Sequence, residues 1–118
     1  MRRALALMST LVFALTIGAG TAAAQNKEVG ADKCAKMCHK VQYTSWLETK
    51  HAKAEKKTEC ETCHGPGSGY MTMSIMKDPA KAKAAGLIAK PDIASCNRCH
   101  KPGEIKPDML TKVHAHKG

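Results

Sequence analysis

The chain has 118 residues, 19 of them basic and 10 acidic, for a net charge of +9; it holds six cysteines, one Trp, two Tyr and one Phe. That length suits one small domain, and so few aromatic rings exclude a large side-chain core of the usual kind. The basic excess comes with no nucleic-acid-binding motif, so nucleic acid is not an expected partner.

Taken in chain order, the first element is a leader. Met1, Arg2 and Arg3 give a basic start, residues 4–20 form an apolar run broken only by Ser, Thr and Gly, and small residues stand at Ala22 and Ala24. This is the three-part layout of an export signal, with cleavage expected after Ala24. The run is short for a membrane span, and no cysteine near the cleavage point offers a lipid anchor, so no stable membrane anchor is expected. The arginine pair lacks the remaining residues of a twin-arginine signal. Residues 25–118 then form the domain, exported or periplasmic, with a net charge of +7 once Arg2 and Arg3 are gone. In an oxidising compartment three disulfides would be the ordinary use of six cysteines.

The cysteines are patterned otherwise. They form three pairs, Cys34/Cys38, Cys60/Cys63 and Cys96/Cys99, each followed at once by a histidine: His39, His64 and His100. Histidine fills 6 of 118 positions, so three such neighbours are not a product of composition. A disulfide framework gives no reason for them, and zinc sites space their histidines away from the cysteine pair. C-x-x-C-H is the attachment motif of haem c. Two thiols on one helical turn add to the two vinyl groups of one porphyrin edge, and the next residue places its imidazole under the ring as proximal ligand. Cys60/Cys63/His64 and Cys96/Cys99/His100 fit this spacing. The first site, "CAKMCH", has one residue more, so its loop must bulge; a disulfide or a single vinyl link is the alternative there. Three covalently attached haems c are expected.

Between the first two sites, residues 41–57 read as an amphipathic helix with Tyr43, Leu47, His51 and Ala54 on one stripe and Trp46 beside it. A histidine on an apolar face is more often a hydrogen-bonded core residue; where the core is to hold irons, His51 becomes a distal-ligand candidate. "GPGSG" (65–69) marks a tight turn after the second site. Met71, Met73 and Met76 could ligate iron, but packing against a porphyrin edge is the plainer use. Asp78 as N-cap, Pro79 in the first turn and Gly86 as stop predict a short helix, lysine- and alanine-rich, as a solvated cover. Residues 90–95 begin another short helix leading into the third site. Pro107 and Asp108 predict a last helix, on which His114 and His116 would point in opposite directions and so could not serve the same iron: either each meets a different one or one of them is free. Three histidines follow cysteines and three remain, which balances as two imidazoles on each of three irons.

The stretch 34–70 resembles the multihaem cytochromes c typified by the nitrifiers' tetrahaem electron carrier, the cytochrome c-554 type. The shared features are an initial cysteine–histidine site, a W-x-x-T-x-H-A-x-A helix (Trp46, Thr49, His51, Ala52, Ala54) and a C-x-x-C-H-G-P-G element (Cys60 to Gly67). The resemblance implies that His51 is an axial ligand, that the haems are closely stacked and that electrons are transferred outside the cytoplasm. Two departures stand out. The first site is one residue longer, and Tyr70 stands near the place where those proteins often carry a further histidine. Small trihaem cytochromes of the c7 type match less well, lacking here an early pair of distal histidines.

The expected fold is mainly α-helical and irregular, with short helices and loops packed around stacked haems and little or no β-sheet. The expected function is that of a trihaem one-electron carrier between redox proteins and not of an enzyme, since six-coordinate irons leave no position for substrate. Ionised propionates bring the +7 down to roughly +4 oxidised and roughly +1 reduced. The residual charge suits acidic redox partners, or else merely serves solubility. Two rivals stand beside this. One is a small enzyme reducing a nitrogen oxide or peroxide at a five-coordinate haem. The other is self-association, a terminal histidine ligating the haem of a neighbouring chain.

Overall fold

In a computed structural model the chain is described over residues 25–116. The expected leader, 1–24, lies outside the described residues, as do positions 117 and 118. Seven short helices follow one another: α1 (Ala31–Met37), α2 (Lys40–Leu47), α3 (Lys50–Lys53), α4 (Cys60–His64), α5 (Met73–Met76), α6 (Pro79–Ala84) and α7 (Ile93–Cys96). Two 3-10 segments, Gly67–Gly69 and Pro107–Lys112, lie among them, and there is no strand among the described residues. The fold is therefore helical and irregular, as the sequence predicts.

The helix expected over 41–57 is split. Thr49 leaves the helical conformation at ψ 161°, and its hydroxyl caps α3 by accepting from the Ala52 amide while donating to the Trp46 carbonyl at 2.6 Å. A threonine side chain that can serve both peptide groups competes with helix continuation. The break resets the phase of the stripe. Trp46 and Ala52 are buried, Tyr43 and His51 half-buried, and Leu47 and Ala54 exposed. Asp78 caps α6 through the Ala80 and Lys81 amides as expected, and α6 is an exposed cover except for Ala82. The last helix is a 3-10 segment that ends before His114, so the argument from opposite helix faces does not apply to His114 and His116.

The core is small. Ala31, Trp46 and Ala52 form its centre, with Tyr43 and Cys60 packed against it, where α1 meets α2 and α4. Trp46 donates its indole N–H to the Thr58 carbonyl at 2.9 Å, tying α2 to the segment that enters α4. Among the described residues four of the six buried hydrophobic ones are alanines, so this part of the chain by itself encloses little apolar volume.

Polar contacts take over much of the work. The Glu61 carboxylate, on α4 and 5 % exposed, accepts from the Val29, Gly30 and Gly67 amides at 2.8, 2.8 and 2.6 Å. Glu59 accepts from the Ala31 amide at 3.0 Å, so the free N–H groups at the start of α1 are met from across the fold, Gly30 having no side chain to cap with. Ser68 and Lys27 exchange two further hydrogen bonds, and the Asn26 amide donates to the Ala85 carbonyl. The entry segment is thus laid across α4 and its following turn. Replacing Glu61 by Ala leaves three enclosed N–H groups without an acceptor, at about 1 kcal/mol or more each. Glu61→Ala is expected to lower stability by about 3 kcal/mol, with Glu61→Gln losing less; urea unfolding of the two variants checks the order.

Candidate haem centres

The second site occupies one turn of helix. Cys60, Cys63 and His64 all lie in α4, and the helix ends at Gly65 with φ 86° and ψ 164°. That conformation is open essentially to glycine alone. It also brings backbones close: a Cβ on Gly65 would stand 2.6 Å from the Gly86 carbonyl oxygen. Buried Tyr70 directs its hydroxyl at the carbonyls of Gly65 and His64, which locks the turn behind the histidine. The His64 Nδ1 lies 2.7 Å from the Ile88 carbonyl, so the ring donates there and leaves Nε2 free. Burial holds the His64 pKa below its ordinary value, outweighing the Ile88 contact. A neutral imidazole with Nδ1 anchored on a carbonyl is the arrangement a metal-binding histidine needs.

The third site straddles the end of α7. Cys96 closes the helix, Cys99 follows in a turn, and the His100 amide still bonds to the Cys96 carbonyl at 2.9 Å, which continues the helical path. Asp92 caps α7, accepting from the Ser95 amide at 3.0 Å and from its hydroxyl at 3.2 Å; these bonds hold its carboxyl below the usual range. His100 has the Glu104 carboxylate 3.6 Å from its Nδ1.

The first site shows how the extra residue is absorbed. Cys34 lies within α1 and Cys38 at its end, with φ −134°. Both the Cys38 and His39 amides turn back to the Cys34 carbonyl, the latter at 3.1 Å, so the chain makes one wide five-residue turn. Cys38 and His39 are exposed.

The three sites adjoin through α4. The Cys60 thiol hydrogen-bonds to Cys34, which holds Cys34 down to about 7 and pushes Cys60 up. Burial raises the Cys63 thiol, whose charged neighbours include Cys96, Cys99 and Arg98. The Arg98 guanidinium, from the third motif, donates to the Thr62 carbonyl of the second. One sulfur of α4 thus faces the first site and the other faces the third. A groove of about 740 Å³ runs beside the second site, lined by Met76, Ala82, Lys83, Leu87, Ile88 and Lys90 among others. Met71 and Met73 are exposed, and Met76 is half-buried in that groove.

The histidines not adjacent to cysteine come back to those that are. The rings of His51 and His100 have centroids 6.1 Å apart, and those of His64 and His114 5.9 Å. Two imidazoles trans on one metal, with metal–nitrogen bonds of roughly 2 Å, have centroids about 6 Å apart. The spacing is one that an iron between each pair would give, and it also lies within the range of rings in tilted contact. His114 and His116 are only 4.7 Å apart, too close to flank a metal together. The His114 Nδ1 lies 2.8 Å from the Ala115 carbonyl, and the Ala115 amide donates to Ser45 at 2.6 Å, which seats the tail on α2. His116 is exposed. The donor set and its spacing fit haem at the second and third sites.

Residues 51–105, a little under half of the chain, match the family described as a doubled CXXCH motif. The match runs from His51 past both C-x-x-C-H sites to Ile105, and the longer first site lies outside it. No curated protein and no solved structure matches the chain. The C-x-x-C-H motifs indicate covalently attached haem c, and their doubling is the pattern of a multihaem c-type cytochrome, a class typically exported and given to electron transfer. No helix among the described residues is long and apolar enough to cross a membrane.

Motif spacing did not reveal Glu61, Glu104 or the Ile88 carbonyl. Glu61 occupies a variable position of its motif, and the other two act through loops. Tyr70 was visible only as a departure from the resembling proteins. Gly65→Ala meets both the strained backbone and the Gly86 contact, so a loss of at least about 2 kcal/mol is expected, together with poor haem loading at the second site, read by thermal melting and intact mass. The lowered Asp92 pKa fixes the sign of its pH response: the cap contributes fully above the ordinary carboxylate value of about 4 and is lost as pH falls through the lower folded value. The Ser95 amide resonance is expected to move with a midpoint at lower pH than that of an unpaired aspartate.

Proposed function

We propose that the chain is an exported, periplasmic trihaem cytochrome c that carries single electrons between redox proteins, akin to the tetrahaem carriers it resembles. The observation that carries this reading is the return of His51 to His100 and of His64 to His114 at the spacing of an axial pair. In this assignment Cys60 and Cys63 hold the second haem, with His64 proximal and His114 distal. Cys96 and Cys99 hold the third, with His100 proximal and His51 distal. Cys34, Cys38 and His39 hold the first, and His116 is left as its distal ligand.

Haem supplies a one-electron ferric–ferrous couple when bound; two imidazoles on each iron set a lower potential than a histidine–methionine pair would. The chain's own residues hold and order the sites. The Ile88 and Ala115 carbonyls fix two ring orientations, Tyr70 and Gly65 fix the turn beneath the second site, and α4 sets the three sites in the sequence first, second, third. The rings would also supply the apolar bulk that an alanine-lined core lacks. Outward lysines, among them Lys50, Lys53, Lys56 and Lys57, give acidic redox proteins a surface to approach.

A second reading has one observation in its favour. Exposure of Cys38 and His39 leaves the first centre reachable from solvent, as a small enzyme reducing a nitrogen oxide or peroxide would require. Intact mass of the protein exported from a haem-attaching host is expected to show three haems, and electron paramagnetic resonance only low-spin iron. Carbon monoxide binding by the unaltered reduced protein would favour the enzyme instead. His51→Ala is expected to open one iron of three to carbon monoxide; a variant that stays closed would refute the pairing with His100.

A further inference from the structure

The three histidines that follow cysteines differ in what holds their second nitrogen. His64 meets a neutral carbonyl, Ile88, at 2.7 Å. His100 instead faces a carboxylate: Glu104 Oε2 lies 3.6 Å from its Nδ1, within ion-pair range, four residues along the chain. That oxygen is held in place, because it also accepts from the Lys101 amide at 3.0 Å. The turn 101–104 therefore presents Glu104 to the ring through a backbone contact independent of the histidine. Glu104 is half-exposed and its burial is not what keeps it there.

We infer that Glu104 is a positioning residue for the third centre, orienting the His100 ring and lowering the reduction potential of its haem relative to a carbonyl-held histidine. This rests on the haem assignment above. At 3.6 Å the carboxylate acts on the ring through its charge, and a negative charge beside Nδ1 makes the imidazole a stronger donor to iron. A stronger donor favours the ferric state, as does a fixed negative charge near the iron. The chain thereby sets its centres apart in potential with a single side chain outside the C-x-x-C-H motif. His51 completes the same centre from α3, so the effect belongs to one iron and not to all three.

The test compares the holoprotein with Glu104→Gln and with Asp108→Asn, which removes an equal charge from a carboxylate paired with Lys112. Intact mass first verifies three haems in each; a parent protein with fewer would overturn the haem assignment and not this inference. Potentiometric titration of Glu104→Gln is expected to favour reduction of one haem about tenfold, equivalent to about 59 mV for one electron. The electron paramagnetic resonance signal of one low-spin haem is expected to shift with it, while Asp108→Asn leaves potentials and signals in place. Unchanged potentials in Glu104→Gln, or an equal shift in both variants, would overturn the proposal. Should Glu104→Gln lose a haem, Glu104→Asp, which keeps the charge, decides on the same two readouts: a potential at or near the parent's supports the role, and a full tenfold shift refutes it.

Discussion

The arrangement depends on one carboxylate. Glu61 sits between the two cysteines of α4 and gathers three peptide N–H groups from segments on either side. Because α4 is only five residues long, nothing within the helix could fix its position. The hydrogen bonds do so from outside, and they do it at the point where Cys60 turns toward the first site and Cys63 toward the third. Gly67 must be glycine for the same reason: a Cβ there would stand 2.8 Å from Glu61 Oε1 and 2.9 Å from Val29 Cγ2. The approach of backbone to carboxylate leaves no room for a side chain.

This economy follows from composition. A chain with one tryptophan and two tyrosines in its described part cannot order itself by burying area, and the interior that results is mostly alanine and glycine. Directed contacts substitute for it. Trp46 spends its N–H on Thr58, Tyr70 its hydroxyl on the turn after His64, and Asp78 and Asp92 cap helices too short to persist alone. Helices of four to eight residues are the natural product when local capping, and not a long apolar face, decides where each begins.

What could be read beforehand divides along the same line. The Cys–His motifs, the glycine turn after His64, the α6 start at Asp78 and the presence of a short helix before the third site are local, and spacing alone displays them. The helix over 41–57 was overextended because a hydrophobic stripe does not register that Thr49 can serve two peptide groups better outside a helix. The tail failed for a related reason: Pro107 starts a helical segment, but nothing in the pattern says it stops at Lys112. The pairing of His51 with His100 and of His64 with His114 is beyond any local signal, since each joins residues about fifty apart. Glu104 lies near His100 in sequence and was still invisible, because a glutamate on a loop has many uses and only the Lys101 contact singles this one out.

The seating of Ala115 on Ser45, seventy residues upstream, has a consequence for the order of assembly. A polypeptide emerges from its amino end, so the cysteines of all three motifs and the histidines that follow them are available before His114 arrives. Under the proposed assignment the first and middle centres are consequently the ones whose opposite faces are closed by the latest segment to appear, the one that carries His114 and His116. Under that assignment His64 has no ring across from it until then, and a newly tethered group there would pass through an interval of exposure that a centre served by His51 and His100 would escape.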